Sequence, residues 1–277
     1  MNKKKHYTVS KILINIFLFF LVIIVLYPLY WTIINSLKTN NELFISPFSL
    51  PHKLIFKNYI SAWNLGLSQY FLNSIYVSFI SIAITVFLGA LCAYGLSRFD
   101  IKAKNLIFMV VLGGLMLSPE VALVSLYKIL QTLHLYNTRW AMIIPYIAFK
   151  LPFSVFLMRS YFISFPKDME EAATIDGCNT FQVFYKIVVP ISLPIFASTA
   201  IMDAIFVWNE FLFALVFVES KAITTIPVGL MAFRDALNTD WTVLLAGITI
   251  ATLPMAILFL CMQKYFVKGL TSGAVKG

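Results

Sequence analysis

Six apolar runs, each long enough to cross a bilayer, dominate this sequence and leave few folds open to it. About 20 predominantly apolar residues span a hydrocarbon core, and residues 12–34, 70–97, 105–127, 139–162, 188–218 and 242–266 all reach that length. Apolar residues make up 60% of the 277 and charged ones only 12%, too little polar surface for a water-soluble domain of this size. The expectation is an all-α polytopic membrane protein with six transmembrane helices. It would form a single transmembrane domain over 1–277, with its core at about 70–266 and a first helix at 12–34.

The net charge of +9 does not point to nucleic acid, because the basic residues sit between apolar runs rather than on one face of a soluble fold. It reads as topology. With an even number of spans both termini share one side, and placing them in the cytoplasm puts Lys3, Lys4, Lys5, Lys11, Arg98, Lys102, Lys104, Arg159, Lys167, Lys186, Lys264, Lys268 and Lys276 inside. Lys38, Lys53, Lys57, Lys128, Arg139, Lys221 and Arg234 fall outside, and Lys150 lies within a span. The first run is too long for a signal-peptide core and no small-x-small cleavage site follows it in 35–41, so it reads as a retained helix. Cys92, Cys178 and Cys261 are widely spaced and odd in number, which supports neither a disulfide framework nor a zinc site.

The loop between spans four and five, residues 165–190, is far more polar than its flanks and falls on the cytoplasmic side. It has the marks of a short surface helix at about 167–180. Pro166 suits a helix start, Asp168, Glu170 and Glu171 suit the positive end of the helix dipole, and Gly177 suits a stop or sharp turn. Ala172 and Ala173 keep one face low, so that a partner protein can approach closely. On residue chemistry alone, a helix lying on lipid headgroups explains the segment equally well.

The spacing Glu171-Ala172-Ala173, three residues, Gly177, nine residues, Ile187, one residue, Val189-Pro190 resembles the EAA signature of ABC-importer permeases, with Val189 where leucine is usual. Asp176, Phe181 and Phe184 resemble the version found in maltose-type carbohydrate importers. The likeness extends along the chain through Ser36-Leu37-Lys38, Asn73-Ser74, Ala93-Tyr94, Ser97-Arg98, Asn137-Thr138, Trp208-Asn209 and the tail from Val267 to Gly277. The whole is similar to the smaller permease of a two-permease complex. The resemblance implies a larger permease partner, two copies of a cytoplasmic ATPase subunit that carry the ATP and Mg, and an extracytoplasmic binding protein. No cofactor is implied in this chain, which also lacks a Gly-x-x-x-x-Gly-Lys-Ser/Thr phosphate loop. It implies too that Glu170, Glu171, Ala172, Ala173, Asp176, Gly177 and Phe181 form a coupling helix seated in a groove of the ATPase. There Glu171 would hold by a charge-assisted hydrogen bond, and Gly177 would turn the chain towards span five.

Ionisable groups inside a membrane are costly and face protein or a water-filled cavity. By distance along their helices, Glu120, Lys150 and Asp203 fall near mid-membrane, and Glu210, seven residues past Asp203, falls on nearly the same helix face. Lys150 is expected to pair with Asp203 or Glu120. Asp203 and Glu210 are expected to line a substrate path, with Trp208 and Asn209 able to stack on and hydrogen-bond a sugar. An ion pair confined to one subunit fits the same residues. Prolines 28, 119, 145, 152, 190, 194 and 254 are expected to kink their spans. An oligosaccharide is the expected cargo. Glycerol 3-phosphate import and an ion-coupled secondary transporter stand as alternatives. His6, His52 and His134 form no cluster with carboxylates that suggests a metal or acid/base site, so no enzyme activity is expected.

Overall fold

The computed structural model describes residues 3–164, 166–234 and 239–274, with side chains described within 10–263. Phe165 and 275–277 therefore lie outside the described residues, as do the side chains of the Val267 tail. All regular structure among the described residues is helical. Four helical stretches are long and apolar enough to cross a membrane: Ser10–Ser36, Lys57–Arg98, Trp140–Ser164 and Trp241–Gln263. Two further apolar stretches are broken. Lys104–Met116 and Pro119–Thr132 meet at 99°, and Thr180–Ile191 and Leu193–Asn209 meet at 73°, so six spans result if each bent pair counts once.

The helices are α1 (Lys3–Ser36), α2 (Asn40–Ile45), α3 (Lys57–Ala62), α4 (Ser68–Arg98), α5 (Lys104–Gly113), α6 (Pro119–Thr132), α7 (Trp140–Ser164), α8 (Asp168–Ile175), α9 (Thr180–Val183), α10 (Val189–Ile191), α11 (Leu193–Asn209), α12 (Leu212–Phe217), α13 (Ile226–Gly229) and α14 (Trp241–Ala274). The prolines divide by position. Pro119 opens α6 and Pro194 stands in the first turn of α11, where a missing N–H costs nothing, whereas Pro190 lies near the end of the continuous helix Thr180–Ile191, just after a π-helical turn at Phe184–Val188. These three mark the broken spans. Pro28, Pro145, Pro152 and Pro254 instead lie inside helices that continue through them.

Two units make up the chain. In the unit formed by Met1–Ser68 and Gly229–Leu253, the most apolar 18-residue stretch of α1 contains no buried residue, whereas Asn35 and Ser36 at its end are buried. The loop after it folds on buried polar bonds. Asn58 Nδ2 donates to the carbonyls of Ser36 and Lys38, each at 2.8 Å, and Ser36 Oγ lies 2.6 Å from the Tyr59 hydroxyl. Lys38 is fully buried with Nζ donating to the Ser46 carbonyl at 2.9 Å. Its desolvation lowers the ammonium pKa below the ordinary lysine value.

The second unit, Gln69–Val228 with Pro254–Gly277, has α4, α7 and α11 at its heart. One apolar cluster joins Ala93, Tyr94, Val155, Met158, Phe162, Ala173 and Phe184, and the other joins Val77, Met142, Tyr146, Val207, Phe213 and Phe217. Beside the second cluster the loop after α12 is clasped by residues that the sequence had marked only by likeness. Asn73 Nδ2 donates to the carbonyls of Ala222 and Thr224, and Ser74 Oγ accepts the Ile226 N–H. Asn137 Oδ1 accepts the N–H groups of Glu219 and Ser220, while Arg139 Nη2 donates to Asn73 Oδ1 at 3.0 Å.

The turn after α5 lies against α7 so closely that a Cβ added at Gly114 would meet Pro152 Cγ at 2.8 Å. A Cβ added at the adjacent Gly113 would meet nothing within 4 Å. Gly114→Val is therefore expected to destabilise the folded protein by about 1–3 kcal/mol through overpacking. Gly113→Val should leave the thermal unfolding midpoint in detergent nearly unchanged, and equal shifts in the two variants would contradict this packing.

Candidate functional site

The polar segment between α7 and α11 forms two short helices joined by a tight turn. Helix α8 starts at Asp168, two residues later than Pro166 suggested, with the carbonyl of Lys167 accepting the N–H groups of Glu170 and Glu171. Asp168, Glu170 and Glu171 fill its first turn, where carboxylates favour the helix dipole. The helix stops at Gly177, whose φ of +85° is a conformation that side chains with a Cβ resist. There the Gly177 N–H reaches the Thr174 carbonyl, and that of Cys178 reaches the Ala173 carbonyl. Asn179 and Gln182 then form a reciprocal capping box that starts α9.

Glu170, rather than Glu171, fastens this segment. It is 9% exposed, and its Oε1 accepts Arg98 Nη2 at 2.6 Å and Arg98 Nε at 2.7 Å, a forked pair at the end of α4. The Tyr94 hydroxyl donates to the other oxygen at 3.1 Å. Ala173, one turn on, is buried in the apolar cluster with Phe162 and Phe184. The opposite face is open: Glu171, Ala172, Asp176 and Gly177 are exposed, as are Met169, Ile175 at 86% and Phe181 at 72%. Sequence reasoning missed Ile175 and Met169, whose signal was an apolar side chain on the polar side of a short helix. A cavity of about 510 Å³ lies beside the pair, lined by Tyr94, Arg98, Lys167, Glu170 and Thr174 among others.

The residues expected to line a path are arranged differently. Tyr146, Lys150 and Ser154 follow one another at single turns along α7 and meet Glu210, Phe206 and Asp203 in order. The Tyr146 hydroxyl donates to Glu210 Oε2 at 2.5 Å, Lys150 Nζ sits 3.7 Å above the Phe206 ring, and Ser154 Oγ donates to Asp203 Oδ2 at 3.1 Å. Asp203 is 1% exposed, so it is enclosed within this chain, and no ion pair joins Lys150 to Asp203 or Glu120 among the described residues. Glu210 does not share the helix face of Asp203, because α11 ends at Asn209. Its carboxylate instead caps α12, accepting the N–H groups of Phe213 and Ala214. Glu120 is not in mid-helix. It is exposed in the first turn of α6, beyond the 99° break, with its carboxylate on the Ser118 hydroxyl. Trp208 is buried edge-on against Phe71, and Asn209 is exposed with Nδ2 on the Ile205 carbonyl.

Residues 85–272, which include the whole α8 segment and the end of α4 that carries Arg98, match the family described as binding-protein-dependent transport system inner membrane components. The chain belongs to that family. This permease is 49% identical over 274 residues to the probable ABC transporter permease protein YurM of Bacillus subtilis, covering 99% of this chain and 91% of that one. It is 36% identical over 273 residues to the trehalose/maltose transport system permease protein MalG of Thermococcus litoralis, covering 97% and 98% of the two chains. Among solved structures, a bacterial ABC transporter involved in import of the acidic polysaccharide alginate contains a chain of the same fold. The TM-score is 0.83 at 22% identity, over 96% of this permease and 99% of that chain. The protein is a membrane permease subunit, and the alternative of an ion-coupled secondary transporter is set aside.

Removing one member of the buried pair strands the other charge. In the permease Arg98→Ala and Glu170→Ala are each expected to cost about 3 kcal/mol of stability, read as a lower unfolding midpoint. Glu210→Ala should cost about 2–3 kcal/mol, because it strands the Tyr146 hydroxyl and two N–H groups. Unchanged midpoints in all three variants would contradict these assignments.

Proposed function

We propose that this chain is the membrane-path subunit of an ATP-driven importer for an oligosaccharide, with α8 as the helix that receives the ATPase stroke. The observation that carries the proposal is the two-sided character of α8. Its inner face is locked to α4 through Glu170 and Arg98, and its outer face presents Glu171, Ala172, Ile175 and Asp176 beside Phe181. A short helix tied rigidly on one side and open on the other passes a push into the helices behind it. Tyr94 on Phe184, with ring centres 4.9 Å apart, adds a direct contact from α4 to the start of the broken span that leads into α11.

In this account the chain crosses the membrane six times with both termini in the cytoplasm, each bent pair being one span. The excess of lysine and arginine on that side supports the orientation. Two ATPase subunits bind ATP and Mg, a second, larger permease completes the path, and an extracytoplasmic binding protein delivers the cargo. This chain supplies no catalytic group. The saccharide cargo follows the names of relatives along nearly the full chain, including an arabinooligosaccharide permease of Bacillus subtilis at 33% identity and the trehalose/maltose permease. No observation favours glycerol 3-phosphate: Lys150, the cation that the sequence offered for a phosphate, lies on the Phe206 face. The part of the path that this subunit contributes falls to Asn209, Lys150 and the exposed face around them. Asp203, Trp208 and Glu210 hold α7 to α11 and α12.

Gly177→Val tests the coupling role. A side chain there meets no neighbour, but it must adopt a positive φ at a cost of about 1–2 kcal/mol. The expected result is normal membrane insertion with strongly reduced oligosaccharide uptake and loss of cargo-stimulated ATP hydrolysis in the assembled transporter. Uptake and hydrolysis at the unsubstituted level would contradict the proposal. Asp203→Asn should leave uptake and cargo-stimulated hydrolysis in place, since an amide oxygen still accepts from Ser154. Their loss would return Asp203 to the path.

A further inference from the structure

Arg159 is a cytoplasmic-side cation that the coupling segment does not use. Its guanidinium carbon lies 4.0 Å above the centre of the Phe108 ring, across the contact between α7 and α5. Its Nε is buried and donates to no oxygen among the described residues, and no carboxylate there pairs with it. An arginine near a helix C-terminus can turn back to the last carbonyls, but Arg159 makes no such bond among the described residues. A guanidinium lying over a ring keeps its forked N–H groups at its edge, the geometry that suits a phosphate.

The surroundings give the charge and depth of a headgroup site. Arg159 precedes the end of α7 by five residues and Phe108 follows the start of α5 by four, so both lie roughly 6–8 Å in from the helix ends. Lys104 stands one turn before Phe108 on the same side of α5, and Lys102 lies in the turn before it. Asp100, one turn before Lys104 in sequence, is fully exposed and meets Lys104 at 3.3 Å, a pair worth little in water. Arg98, by contrast, is bound to Glu170. The flanking side chains Ile107, Met109 and Val110 are exposed and apolar, so an anion reaching Arg159 travels along a surface that suits acyl chains rather than water.

We infer that Arg159, stacked on Phe108 and backed by Lys104 and Lys102, binds the phosphate of an anionic phospholipid in the cytoplasmic leaflet. Basic sites between spans on that side suit such headgroups. A lipid held there ties the end of α7 to α5 next to the point where the chain enters α8. The inference rests on the orientation given under Proposed function.

The test uses the complete transporter, purified with its ATPase subunits and reconstituted in nanodiscs of phosphatidylcholine with added phosphatidylglycerol. Native mass spectrometry reads the lipid that stays bound. Arg159→Gln is expected to weaken retention of phosphatidylglycerol about fivefold, with phosphatidylcholine retention unchanged. Phe108→Leu keeps the charge and removes the stacking ring, and it is expected to weaken retention by a smaller factor; it carries the test if Arg159→Gln does not fold. Undiminished phosphatidylglycerol retention in a folded variant would overturn the inference, and so would an equal loss of phosphatidylcholine. Displacement of the lipid by excess inorganic phosphate would also overturn it, by making the site one for a soluble anion. Failure of the unsubstituted chain to assemble with an ATPase subunit would count against the importer assignment and leave the lipid measurement readable.

Discussion

A forked ion pair between Arg98 and Glu170 joins the end of one long span to a helix that follows 70 residues later in the chain, and the polar segment between α7 and α11 depends on it. Without that bond α8 would be an eight-residue helix with three carboxylates in the first turn, too short to hold its shape alone. With it, Glu170 and Ala173 face inwards, the outer face follows from helical geometry, and Gly177 sends the chain back towards the membrane. Burial makes the bond demanding, since either charge alone would be costly. The Tyr94 hydroxyl on the second carboxylate oxygen helps to meet that demand.

The same logic recurs deeper in the helices. Tyr146–Glu210, Lys150–Phe206 and Ser154–Asp203 form three successive contacts between α7 and the chain from α11 into α12, each placing a polar or charged group against a partner that tolerates it. The α11–α12 break at Glu210 is possible because its carboxylate accepts the N–H groups freed at the start of α12. Polar residues in this unit thus fix the relation of neighbouring helices, while the apolar clusters supply the bulk of the contact.

Much of this was legible in the sequence. The apolar runs predicted the helical stretches, and residues 170–190 were recognisable as the segment that differs from a plain membrane helix. The breaks were harder to read. An averaged run of apolar residues looks alike whether it is straight or bent, and Pro119 or Pro194 at a helix start cannot be told from Pro145 or Pro152 inside one without knowing where the preceding helix ends. The partner of Glu170 was hidden by sequence distance, and its neighbour Glu171 carried the more familiar spacing. The partners of Asp203 and Glu210 were hidden for a physical reason: a carboxylate in an apolar helix announces that it needs a partner, but not whether that partner is cargo, a lysine, a serine or the first turn of the next helix.

The central claim is that the outer face of α8 meets the ATPase. It is tested most directly by photo-crosslinking from position 175 in the intact transporter, with position 107 on the exposed apolar face of α5 as the comparison. Position 175 is expected to form an adduct with the ATPase subunit that changes in yield when ATP is bound, while position 107 forms none. Adducts from position 175 to lipid alone, with the ATPase assembled and active, would contradict the account.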